Sequence, residues 1–315
     1  MLQLLTHRLA HGLVTLLAIS VIVFVGTQIL PGDVVQAVLG QGASQVDVSA
    51  IRQQLGLDRP APVRYLEWLV RLLQGDLGRS LATGRAIIEP ISERLPYTLA
   101  LAGCTAAVAV PLSVFLGLLA ATFSGSWLDR VISAATVVFL SGPEFLLGTL
   151  LVIVFAVKLR WLPAVSHASE PVSLVDHLRS MALPVMTLAA AVTPAMTRMT
   201  RSAIMTVLTS QATEMAILKG LPRGRVILRH ALPNALPPII TVVALNLAYL
   251  VTGVVVVEVV FNYPGLAKLL VDAVGTRDIP VVQACAMIFC TAYVLLNLGS
   301  DMLALAANPR RRYPK

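Results

Sequence analysis

The chain has 315 residues, 57% of them hydrophobic and only 13% charged, with a mean hydropathy of +0.82. A soluble domain carries about 25% charged and about 45–50% apolar residues, so this composition argues against soluble domains and for one membrane domain. A net charge of +8 with only 5% aromatics lacks the base-stacking complement of a nucleic-acid binder, and basic loops beside membrane spans account for it.

A helix needs about 20 apolar residues to cross a hydrocarbon core of about 30 Å. The first stretch of that kind is 11–30. Its length, and the lack of a small-x-small cleavage site before Pro31, favour a retained helix over a signal peptide. Residues 31–95 follow, with a turn-like Pro31-Gly32-Asp33, an amphipathic piece at 48–57 and an apolar piece at 65–73 containing Trp68. This apolar content predicts a small folded insertion and not a disordered loop. Five more apolar stretches lie at 96–122, 131–157, 183–205, 236–260 and 281–306. In lipid their backbone groups must be satisfied internally, so they are helices. Pro111, Pro143, Pro194 and Gly253 fall inside them, and a proline there predicts a kink.

About six spans place both termini on one side. With the termini inside, the inner loops and ends hold twelve Lys+Arg and the two short outer loops five. The long segment 31–95 holds another seven, but long loops cross largely regardless of charge. The bias therefore predicts cytoplasmic termini and an extracytoplasmic 31–95. The organisation expected is 1–30 with the first helix, 31–95 as the insertion, 96–306 as the transmembrane core with a cytoplasmic loop at 206–235, and 307–315 as a basic tail. The fold class expected is all-α integral membrane, multi-pass.

Cys104, Cys285 and Cys290 sit in apolar runs without CxxC spacing, so they read as packing residues and not as a zinc or disulfide framework. None of the four lysines follows a glycine, so the phosphate-cradling GK[ST] step is absent. If ATP drives this protein, another chain hydrolyses it.

The loop between the fourth and fifth spans is the most informative stretch. Gly220 suits the left-handed residue that ends a helix, and Pro222 suits the first turn of another. Arg223, Arg225 and Arg229 alternate with Val226, Ile227 and Leu228. The pattern predicts two short helices with a break, whose apolar side needs a partner. A loop that only sets topology would need no series of Glu, Ala, Gly, Leu and Pro at fixed offsets.

Glu214-x-Ala216, Gly220 and Leu232-Pro233 resemble the coupling loop of ABC importer permeases, written E-A-A-x3-G-x9-I-x-L-P. Met215 replaces the first Ala, and His230 stands where the pattern has Ile. Gly220-Leu221 and Arg229-His230-Ala231-Leu232 with Asn234-Ala235-Leu236 resemble the dipeptide, oligopeptide and nickel branch. So do Leu30-Pro31-Gly32-Asp33, Leu55-Gly56-Leu57-Asp58-Arg59-Pro60, Gly75-Asp76-Leu77-Gly78-Arg79-Ser80, Glu258 through Leu266, Asp278-x-Pro280, and Asn297 with Asp301. Ala304 stands where a Tyr is usual and Asn308 where an Asp is usual.

This resemblance covers nearly the whole chain. It implies a type I ABC importer permease that forms half of a pathway for peptide-like solutes in a bacterial inner membrane. It implies a second homologous permease, two ATP-binding subunits that hold ATP and Mg, and an extracytoplasmic solute-binding protein. It also implies that Glu214, Ala216, Gly220, Arg225, His230, Leu232 and Pro233 couple the chain to the ATPases. The same machinery importing nickel or another small solute is the alternative. His167 and His177 alone do not make a nickel site.

Glu144 and Glu258 lie within or at the ends of apolar runs. An ionised carboxylate in a span is costly and faces a cavity or a partner. Both are candidates for the pathway, against a kink-stabilising bond for Glu144 and a helix-end contact for Glu258. Asn297 and Asp301, at i and i+4, share a face and suit an interhelical contact. A secondary transporter would show inverted repeats, and none is visible. An intramembrane enzyme would need a set such as HExxH or GxSxG, and neither occurs.

Overall fold

The computed structural model describes residues 2–29, 59–166, 173–211, 213, 215 and 219–307. In chain order its helices are α1 (Leu2–Ile29), α2 (Ala61–Leu73), α3 (Ile88–Thr122), α4 (Trp127–Ser141), α5 (Glu144–Leu151), α6 (Leu174–Leu208), α7 (Arg223–Val226), α8 (Leu232–Val260), α9 (Leu266–Thr276) and α10 (Ile279–Ala307). A π-helical turn, Val152–Lys158, continues α5, and another, Ile227–Ala231, joins α7 to α8. Among the described residues there is no strand, only an isolated antiparallel bridge between Arg79 and Ala86. Among the described residues five helices are long and apolar enough to cross a membrane, and a sixth crossing results if the bent pair Trp127–Ser141 and Glu144–Lys158 is one span.

Two expected spans change form. The third, 131–157, is not a kinked single helix: its halves meet at 106°. Gly142 is extended at φ −83°, ψ 133°, because a residue before proline is pushed out of the helical region. Pro143 at ψ 141° then caps α5. The second begins at Ile88 and not at Pro96, so one helix runs across the expected 95/96 boundary. Pro90 falls in its first turn, where a missing N–H costs nothing. By contrast, Pro184 and Pro194 are carried inside the continuous α6.

The chain forms two compact units. The first holds residues 1–8, 99–263 and 295–315. Its centre is α6, which packs on α4, α5 and α8. A core of Ala121, Ile204, Ala231, Ala235 and Ile239 ties the end of α3 to α6 and the start of α8. At Gly117 a Cβ would lie 2.7 Å from Thr200 Cβ and 2.9 Å from the Thr197 carbonyl oxygen. Small residues permit this close approach between membrane helices, where packing drives association. Ser126 caps α4 by accepting from the Asp129 N–H, and Ser173 caps α6 by accepting from the Asp176 N–H.

The second unit holds residues 9–98 and 264–294. Ile87, Ile91, Leu266, Ala273, Val281, Val282, Ala284 and Cys285 form its core. Phe24 of α1 meets Tyr65 of α2 edge-on, with ring centroids 5.4 Å apart, and Trp68 at 5.9 Å. The hydroxyls of Ser20 and Tyr65 are 2.8 Å apart, and Gln283 Nε2 donates to Thr27 Oγ1 at 2.8 Å. Buried Asp278 accepts from the Ser80 hydroxyl and from the Leu81 and Ala82 N–H groups at 3.1 and 3.3 Å, fastening the 80–86 turn. The expected piece at 65–73 is thus the body of α2, and the piece at 48–57 lies outside the described residues.

Candidate functional site: coupling loop and intramembrane carboxylates

Gly220 has φ +75°, a conformation that a side chain makes costly. Two residues later the Arg225 and Val226 N–H groups bond the Pro222 carbonyl at 2.9 and 3.1 Å, which starts α7. The second half of the loop is not an independent short helix. It passes through Ile227–Ala231 into α8 without a break. Its apolar side is also not vacant: Val226 and Ile227 are buried, and Ala231 and Ala235 join the first unit's core. The reason is local: Ala231 and Ala235 are small enough for α3 and α6 to close on them. The outward face of the loop carries exposed Arg225, Leu228, Arg229 and Pro233, with Met215 also exposed and Leu232 half-buried. Glu214 and Ala216 lie outside the described residues, and for His230 only the backbone is described.

Glu144 opens α5 immediately after the 106° bend. Tyr249 of α8 donates its hydroxyl to Glu144 Oε1 at 3.3 Å. One turn on, a Cβ at Gly253 would lie 3.3 and 3.4 Å from the two Glu144 carboxylate oxygens. Gly142, Pro143, Glu144, Phe145, Tyr249, Gly253 and Val256 line an open cavity of about 330 Å³. Among the described residues no Lys or Arg pairs with Glu144. A larger cavity of about 590 Å³ lies between α3, α4, α5 and α6, lined by residues such as Leu112, Phe139, Leu150 and Met186.

Glu258 is completely buried within its unit, and its carbonyl accepts from the Tyr263 N–H at 2.8 Å. Asp301 accepts from Arg8 at 2.6 Å, linking α10 to α1 within the first unit, and Asn297 is half-buried one turn earlier. Among the described residues no group of three His, Cys, Asp or Glu could hold a metal; His177 is half-buried, and His167 lies outside them.

One charged pair escaped the sequence. Arg201 counts there only as a loop cation, yet it lies in α6 and grips Asp129 of α4 with two bonds, Nε to Oδ1 at 2.7 Å and Nη2 to Oδ2 at 2.8 Å. Asp129 also accepts from the Gly125 N–H at 3.0 Å and from Ser133 Oγ at 3.4 Å. An acid in the first turn of an apolar helix was the available signal.

The family described as "Binding-protein-dependent transport system inner membrane component" matches residues 113–313, and its N-terminal companion matches residues 1–102. The chain belongs to this family. It is a multi-pass inner-membrane permease of the ABC importer type, and not an enzyme. Its curated relatives include the glutathione transport system permease protein GsiC of Pectobacterium atrosepticum, 39% identical over 99% of this chain and 100% of the relative. The proteins of that name from Salmonella typhimurium and Escherichia coli K12 are 39% and 38% identical over the same shares.

Proposed function

We propose that this permease forms half of the pathway of an ATP-driven importer for peptide-like solutes, glutathione among them. A second, homologous permease forms the other half. Two ATP-binding subunits hold ATP and Mg and dock on the loop at 206–235, and a solute-binding protein delivers solute to the opposite face. Both termini are cytoplasmic, and 31–95 is extracytoplasmic. The observation that carries the coupling role is the continuity of the loop with the fifth span: Gly220 breaks the chain in the left-handed region, and from Pro222 onward the loop leads into α8. A push on Arg225, Leu228 and Pro233 therefore reaches Tyr249 and Gly253, which face Glu144. Glu144 lines the pathway, while fully buried Glu258 serves as an internal helix-end contact. Asp301 and Asn297 brace α10.

Gly220→Pro, which forces φ to about −65°, is expected to abolish uptake while insertion into the membrane persists; wild-type uptake would sink the coupling role. Cysteine labelling checks orientation. A thiol replacing Ser49 is expected to react with an impermeant reagent in intact cells, and one replacing Gly224 only after permeabilisation. Reversed labelling would invert the topology.

A further inference from the structure

The bend between α4 and α5 creates a built site that the coupling role leaves unused. Irregular backbone at membrane depth is tolerated where it is buried in protein or lines a cavity, and broken helices form substrate sites in other membrane transporters. Here the break presents a carboxylate to a cavity of about 330 Å³, within the range of small-molecule sites of about 300–1,000 Å³. Among the described residues the carboxylate has no cation paired with it. Its hydrogen bond among the described residues comes from the neutral Tyr249 hydroxyl at 3.3 Å, which leaves most of its acceptor capacity unused. Glycine at position 253 keeps the space before both oxygens open, because any side chain there would begin 3.3 Å from Oε1.

An anionic, partly dehydrated acceptor pair of this kind takes a compact cation with several N–H donors. A divalent ion is poorly served, since one carboxylate and one phenol fall short of the six to eight oxygens that Ca²⁺ takes or the imidazole and thiolate ligands that suit nickel and its neighbours. We infer that Glu144, Tyr249 and Gly253 form a transient binding site for the primary ammonium group of a peptide-like solute in transit. The inference rests on the permease reading above. Glu144 and Tyr249 hold the ammonium by hydrogen bonds and charge, and Gly253 leaves room for the solute backbone. With no second charge beside Glu144 among the described residues, the hold stays weak enough for release.

The test uses cells carrying the full importer: this chain, its partner permease, the ATPases and the binding protein. Initial uptake of radiolabelled glutathione is measured for wild type and for Glu144→Asp, Glu144→Gln and Glu144→Lys, with basal ATPase activity and membrane content as assembly controls. A charge-dependent site predicts uptake in the order Asp above Gln above Lys, with Glu144→Gln about three- to tenfold below wild type, the loss expected when a charge-assisted bond becomes a neutral one. A role in shaping the bend predicts the opposite order for the first two, because Gln keeps the length of Glu and Asp does not. Uptake by Glu144→Gln equal to wild type, or above that of Glu144→Asp, overturns the ammonium site. N-acetylglutathione supplies a second arm. If it is imported and loses as much rate as glutathione in Glu144→Gln, the site does not read the ammonium. Wild-type cells that import neither glutathione nor a simple dipeptide would instead overturn the peptide-like solute reading itself.

Discussion

Asp129 and Glu144 stand near opposite ends of one short helix, and the chain treats them in opposite ways. Asp129, in the first turn of α4, is nearly buried and receives two bonds from Arg201 as well as the Gly125 N–H and Ser133 hydroxyl. Glu144, just past the far end of α4, receives one neutral hydroxyl and faces a cavity. A buried charge must be paired or it destabilises the fold. Asp129 meets that demand inside the chain and so fastens α4 to α6. Among the described residues Glu144, half-buried, meets no cation, and on the proposed reading the solute satisfies it. In the second unit, Asp278 shows a third solution, a carboxylate held by a hydroxyl and two backbone amides. Pairing, and not the presence of an acid in an apolar run, separates a structural carboxylate from one available to solute.

The comparison breaks most visibly at Arg201. Arg201→Ala strands the Asp129 carboxylate, and a loss of about 3 kcal/mol of stability is expected, read as a lowered midpoint in a denaturant titration of the detergent-solubilised complex. The double variant Asp129→Asn with Arg201→Ala recovers part of that loss. A single variant within about 0.5 kcal/mol of wild type would show that the pair contributes nothing. Asp278→Ala comes next, at about 2 kcal/mol, because two amides and a hydroxyl lose their acceptor; its signature is faster hydrogen exchange at Leu81 and Ala82. Glu144→Gln has the smallest effect on stability, within about 0.5 kcal/mol, while it slows uptake. A large stability loss there would place Glu144 with Asp129 as a structural acid.

Much of the architecture was legible because the bilayer demands long apolar helices, and the C-terminal ends of α1 and α3 and both ends of α10 fall close to those of their apolar runs, while α1 and α3 begin well before theirs. The break in the third span was not legible. Pro143 sits inside an apolar run, as Pro184 and Pro194 do, yet it ends a helix while they are carried through one. Gly142 before it lacks the side chain that would favour one conformation, and that difference shows only in the folded backbone. Glu144 stood out in the sequence as a charge among Pro143, Phe145 and Leu146. Its partners Tyr249 and Gly253 could not be linked to it there, because they lie in an apolar run far along the chain with no spacing that ties them to Glu144. Arg201 misled for a similar reason: near a span end, a cation that sets topology and one that binds a carboxylate read alike. The coupling pattern was legible as a motif, but its seam with α8 depends on small Ala231 and Ala235 packing against Ala121 and Ile204.

The central claim is that this chain is one of the two permeases that form the membrane pathway of an ATP-driven importer. It is tested most directly by accumulation of radiolabelled glutathione in proteoliposomes that hold this permease, its partner permease and the ATPases, with the binding protein on the side from which solute enters. The account predicts uptake that requires ATP, the binding protein and this chain together, and that Gly220→Pro abolishes. Uptake that proceeds without ATP and follows an imposed ion gradient would contradict it.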